Sequence, residues 1–160
     1  MTIIWKMTRS INLAKRVREV FLDGKWIANT NFGDQLRSVS LERALQKPGG
    51  CNSIASLVFH VNYYLEGLIE AFDKGVLGIS DKYSYDMPHL EKEREWEEMI
   101  NALLRNAELF ARRVEALSEE TLDGPFIDPR YGTYERNIEG IIEHSYYHLG
   151  QVVLIRRWAS

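Results

Sequence analysis

Residues 53–73, SIASLVFHVNYYLEGLIEAFD, carry the pattern on which the fold turns. Ile54, Leu57, Val58, Val61, Leu65, Leu68 and Phe72 recur at spacings of three and four, which places them on one stripe of an α-helix. Asn52 or Ser53 suits an N-cap, and Lys74-Gly75 suits the helix end. Pro48-Gly49-Gly50 breaks the chain just before this stretch.

Three more stretches share the period. The first runs from about Ser10 to Asp23, with Ile11, Ala14, Val17, Val20 and Phe21 on its inner face and Gly24 at its end. A second, from about Lys92 to Leu117, uses Trp96, Met99, Ile100, Leu103, Ala107, Phe110, Val114 and Leu117. The last, from about Thr133 to Trp158, uses Ile138, Ile141, Ile142, Leu149, Val152 and Val153. Thr133 is its N-cap candidate, and Glu135 is favourable in its first turn. Short helical turns fit around 32–39, 41–45 and 118–122. Residues 78–90, GISDKYSYDMPHL, form a polar connection, long for a bundle loop and suited to walling a site.

No run alternates with period two for long enough to make a strand, and no repeat or low-complexity tract interrupts the chain. Four apolar stripes of this length bury best against one another. The reading is all-α, a four-helix bundle, with residues 1–160 as one domain. Periodicity alone leaves a simple up-down order and a crossed connection both open.

Composition narrows the function. The chain has 160 residues, 20 Lys and Arg against 23 Asp and Glu, and a net charge of -3. Such a balance gives no basic surface for nucleic acid, so none is expected as a partner. No stretch approaches the ~18 consecutive apolar residues of a membrane span, and the opening MTIIWKMTRSINLAKR lacks a signal-peptide core. A cytoplasmic protein is expected. One cysteine, Cys51, makes no internal disulfide and no cysteine-based zinc cluster. It lies near a helix N-terminus, where a thiolate is stabilised, but no histidine is near it in sequence.

Four histidines remain. His144 and His148 stand at i and i+4 on the last helix, one turn apart on one face. Two imidazoles so placed can share a transition-metal ion if a third ligand comes from elsewhere. On a helical wheel His60 lies roughly 120° from the centre of its apolar stripe, and His144 and His148 lie roughly 120° and 80° to the same side of theirs. All three thus occupy the flank that neighbouring helices share. Tyr64, at i+4 from His60, is placed beside the site as a hydrogen-bond donor or pocket wall, and Gln151 as a residue that orients His148 or a water. His89 follows Pro88 in the long connection and is left outside the site. Position 145 is Ser, so the HExxH protease motif is absent; positions 141, 145 and 57 are Ile, Ser and Leu, so the Glu-x-x-His of di-iron bundles is absent. A mononuclear three-histidine site is what remains.

The segments SIASLVFHVNYY and YGTYERNIEGIIEHSYYHLGQVVLIRR, in that order, resemble the DinB-like (DinB/YfiT) superfamily over nearly the whole chain. HSYYHLGQ, residues 144–151, is closest to its HxxxH followed by Gly-Gln, and His60 holds the place of its third ligand. The resemblance implies a four-helix bundle in up-down-down-up order, zinc or nickel bound by the three histidines, and a homodimer. It also implies chemistry that ranges from thiol transfer to hydrolysis of small substrates.

Three neutral imidazoles with an open position suit the activation of a thiol or water. The reading is therefore a metal-dependent transferase or hydrolase acting on a small molecule. The alternative is a non-catalytic, stress-related binding protein with a structural or vestigial metal. Glu66, Glu139 and Glu143 point away from the histidine flank, so a general base is expected from residues 83–89 or 128–134. Trp96, Phe110, Phe59 and Phe72 read as core, Trp26 and Trp158 as candidates for a dimer surface, and EKEREWEE (residues 91–98) as a solvated helix start.

Overall fold

The computed structural model describes residues 8–158; the first seven residues of the opening stretch, and the last two of the chain, lie outside the described residues. Its helices are α1 (Arg9–Phe21), α2 (Phe32–Leu36), α3 (Leu41–Leu45), α4 (Ile54–Lys74), α5 (Glu93–Glu115), α6 (Glu119–Asp123) and α7 (Tyr134–Trp158). Short 3-10 turns occupy Pro48–Gly50, Asp81–Tyr83 and Pro129–Tyr131. No strand occurs among the described residues, and none of their helices is long and apolar enough to cross a membrane.

Local chemistry accounts for the helix ends. Ser53 caps α4 by accepting the Ser56 amide, which leaves fewer orphan donors in the first turn. Gly75 closes the same helix at φ 68°, a left-handed conformation that favours glycine. Thr133 Oγ1 accepts the Arg136 amide at the start of α7.

Cross-helix pairs set the helix directions. Arg9 meets Glu135, and Arg16 meets Glu139, so α1 and α7 run parallel. Arg9 also meets Glu119 beyond the end of α5, while Arg18 meets Glu108 and Glu115, so α1 and α5 are antiparallel. Asn62 meets Asn106 and Asp73 meets Arg113, making α4 and α5 parallel. Phe72 lies against Tyr134 and His60 against His144, making α4 and α7 antiparallel. The bundle is therefore up-down-down-up. Parallel neighbours α4 and α5 need a connection that returns along the bundle, which explains the length of residues 75–92.

The core joins all four long helices: Leu13, Val17, Phe21, Leu57, Leu65, Trp96, Leu103, Phe110, Ile138 and Val152 are all buried. Trp96 donates its indole N–H to the Val39 carbonyl at 2.7 Å, so a large ring is buried with its one polar atom satisfied. Two details depart from the sequence reading. Ile11 is exposed and Leu13 buried, because α1 packs with its stripe rotated toward Leu13, Ala14 and Val17. Phe59 is only half-buried and lies against the Tyr63 ring. The acidic run is largely exposed, as a solvated helix start, and its Glu93 accepts the Leu41 amide with both oxygens, tying α5 to the start of α3.

Gly67 shapes the site. Ile79, from the long connection, packs so closely on α4 there that an added Cβ would lie 2.3 Å from its Cγ2. A larger residue there would force the Ile79 side chain off the helix.

Candidate metal centre

His60 lies in the second turn of α4, opposite the middle of α7, where His144 and His148 point back at it. Their Nε2 atoms converge: 3.1 Å separates those of His60 and His144, and 3.0 Å those of His144 and His148. One ligand atom from each ring falls within 4.8 Å of the others, the only such cluster of three metal-binding groups among the described residues. His60 and His148 are buried and His144 is half-buried.

Neighbours fix the rings. His60 Nδ1 donates to the Ser84 carbonyl at 3.2 Å. A carbonyl can only accept, so the proton sits on Nδ1 and the neutral ring turns a lone pair on Nε2 to the centre. His148 Nδ1 bonds Gln151 Oε1 at 2.9 Å, with the same consequence. The Tyr85 ring stacks on His60 with centroids 4.0 Å apart, covering one face. Between the two α7 histidines, Ser145 is buried and donates to the Ile141 carbonyl at 2.6 Å, so the helix turn that spaces them is internally satisfied.

Electrostatics favours neutral imidazoles. Burial pushes His144 down to about 4, and the nearby His148 and His60 rings add to the shift. His60 is lowered chiefly by burial and then by His148, with the Ser84 bond opposing; His148 is lowered by burial, with Gln151 opposing. Nε2 lone pairs aimed at one another about 3 Å apart repel unless a proton or a cation lies between them. With protonation disfavoured, the donor set fits a divalent transition metal: neutral nitrogens, converging, with His60 and His148 held by outer hydrogen bonds of the kind that orient metal ligands, while His144 Nδ1 is buried without a hydrogen-bond partner.

Beside His144 opens a cleft of about 400 Å³, within the range of small-molecule sites. Leu68, Leu77, Ile79, Phe126 and Ile141 make it largely apolar, and Tyr64, Asp81 and Arg136 supply polar groups. Gly140 lines it too, and a Cβ added there would meet nothing within 4 Å.

Tyr64 stands beside the imidazoles and lines the cleft. Its ring stands edge-on to His60 and His144, each at 5.1 Å between centroids, and its hydroxyl donates to Asp81 Oδ1 at 2.7 Å. Burial, and then the bond to Asp81, push its phenol up to about 12.

Glu66 accepts from Asn62 and Asn106 on the α5 side, Glu139 pairs with Arg16 and Glu143 with Arg136; none of the three lines the cleft. Within residues 83–89 and 128–134, Ser84 and Tyr85 touch His60 and Tyr131 lines the cleft, but no carboxylate of either segment does. The carboxylate that does is Asp81, two residues earlier. Nothing in the sequence marks it; the 3-10 turn that presents it is a tertiary feature. His89 is exposed beside Glu91, away from the cluster. Cys51 is exposed.

Among curated proteins and among solved structures, none gives a significant match to the chain. The family model described as the DinB superfamily matches residues 30–152, a span that holds α2 through most of α7 and all three converging histidines. With that match over more than half its length, the chain belongs to the DinB superfamily.

Proposed function

We propose that this protein is a metal-dependent enzyme that holds one divalent transition metal, zinc or nickel, through His60, His144 and His148 and acts on a small molecule in the adjoining cleft. The observation that carries the reading is the convergence of three buried or half-buried Nε2 atoms beside a cleft that reaches His144. When bound, an ion in this donor set supplies Lewis acidity that makes water or a thiol a nucleophile at neutral pH. Transfer of a thiol to an electrophile, or hydrolysis, is the class of reaction that follows.

The residues of the chain do the rest. Ser84 and Gln151 hold the His60 and His148 rings in one tautomer and orientation. Tyr85 shields the His60 face from water, and Tyr64 forms the wall between the imidazoles and Asp81. The apolar cleft walls exclude water from a bound substrate and hold it against His144. A homodimer is part of this proposal. Among the exposed large apolar side chains, Trp26, Tyr147, Leu154 and Trp158 are candidates to be covered.

A panel of thiol–electrophile pairs and small esters, assayed before and after chelation, tests the reading. Turnover is expected in the metal-loaded protein only, and is expected to vanish in a His144→Ala, His148→Ala double variant. Full turnover in that variant contradicts it. Metal retained with no turnover anywhere in the panel would instead favour a structural metal.

A further inference from the structure

The cleft beside His144 holds two charged side chains, and they are not equivalent. Arg136 is already neutralised: its guanidinium Nη1 donates to both carboxylate oxygens of Glu143, at 3.2 and 3.1 Å. Asp81 forms no ion pair among the described residues. Its Oδ1 accepts the Tyr64 hydroxyl at 2.7 Å, and its Oδ2 accepts nothing there. Lys82, the next residue, lies over the Tyr83 ring at 5.2 Å and not on Asp81.

The Asp81 carboxylate is also held in place. Ser84 Oγ donates to its main-chain carbonyl at 2.8 Å, closing the 3-10 turn, and Tyr64 orients the side chain from α4. The same cleft is lined by the rings of Tyr64, Tyr131 and Phe126 and by aliphatic side chains. A fixed carboxylate without a cationic partner, in a cleft that also carries three aromatic rings, complements a cation with an apolar skirt, because the charge and the ring quadrupoles act in the same sense.

We propose that Asp81 is the specificity-determining residue of the cleft and selects a small ligand carrying an ammonium group on a short apolar body. The inference rests on the cleft being the substrate site of the proposed function. It does not need turnover or a bound metal to be tested. Bound at Asp81, the ammonium lies one tyrosine ring away from His144, which leaves the other end of a short molecule facing the imidazole cluster.

The test is a binding titration of the full chain, followed by NMR or calorimetry at constant ionic strength. Three probes of one shape are compared: choline, its neutral carbon isostere 3,3-dimethylbutan-1-ol, and the anion 3,3-dimethylbutanoate. A quaternary ammonium cannot coordinate a metal, so any preference for choline reports on the cleft. Choline is expected to bind about two- to fivefold more tightly than the isostere, the size of one charge interaction at an exposed site. Asp81→Asn keeps an acceptor for Tyr64 and should bring the two to parity while leaving the isostere unchanged.

Equal binding of choline and the isostere, tighter binding of the anion, binding of none of the three, or unaltered selectivity in Asp81→Asn would each overturn the proposal. Metal content measured on the same samples separates the two readings. Choline selectivity in a protein that takes up no metal leaves this inference standing and removes the metal centre. A loaded centre without selectivity does the reverse.

Discussion

Helix α4 is packed from two sides by helices of 23 and 25 residues, and the two seams are built from opposite chemistry. Toward α5, the buried side chains are Leu103, Ala107 and Phe110, with Phe110 against Phe72 at 5.4 Å between ring centroids. Polar groups there stay at the margin, as Asn62 with Asn106 and Asp73 with Arg113. Toward α7, the centre of the seam is His60, His144 and His148, and aromatic packing resumes only where Phe72 meets Tyr134. A bundle that needed only stability would carry the first arrangement twice. Three imidazoles in the second seam cost desolvation without apolar burial in return, which makes sense if a cation completes them.

The first way to break this contrast is to remove that cation. If the centre is loaded at a thousand times its dissociation constant, chelation should cost about 4 kcal/mol. For a chain of this size that is a fall in Tm of roughly 8–16 °C. Calorimetry with and without chelator checks it, and an unchanged Tm would mean that the histidine seam stands unaided.

Phe110→Ala attacks the other seam. A fully buried aromatic truncated to alanine should cost about 3–5 kcal/mol in denaturant unfolding, with metal content per folded chain unaltered. Loss of metal in step with stability would show that the two seams are not separable.

A smaller effect on the fold, with a large one on function, is expected from Gly140→Leu. The new side chain has open space and a better helix propensity than glycine by about 0.8 kcal/mol, so the fold should hold or gain slightly. It should fill the cleft and abolish small-molecule binding while the metal stays.

The margin of the apolar seam predicts the smallest change. The Arg113 guanidinium holds the Asp73 carboxyl below its ordinary range in the folded protein. A carboxylate whose pKa falls on folding stabilises above its unfolded pKa of about 3.9, and this is lost as pH falls through the lower folded value. Asp73→Asn should therefore change little at neutral pH and flatten the loss of stability below about pH 4. Denaturant melts across that range read it, and identical acid limbs would exclude a role for the pair. The group is exposed, so the effect is modest.

Much of the apolar seam was legible in the sequence, because buried stripes recur at helical spacing and caps such as Ser53 and Gly75 have a chemical signature. The histidine seam was legible in part. HxxxH and the wheel angle of His60 put three rings on shared flanks, and Gln151 sits one turn from His148. What periodicity could not reach came from the irregular connection. Ser84 and Tyr85 meet His60, and Asp81 meets Tyr64, only because a 3-10 turn folds back over α4 at the level that Gly67 leaves open. The bond from the Leu41 amide to Glu93 was hidden for a similar reason. The acidic run is solvated as its pattern suggests, but its partner comes from 52 positions away.

The central claim is that three imidazoles of one seam hold one metal ion. Elemental analysis of untagged protein, set beside the His60→Ala variant, tests it most directly. The account predicts one zinc or nickel per wild-type chain and none in the variant, with both chains folded by circular dichroism. A metal-free wild type after reconstitution, or a variant that retains its full complement, would contradict it.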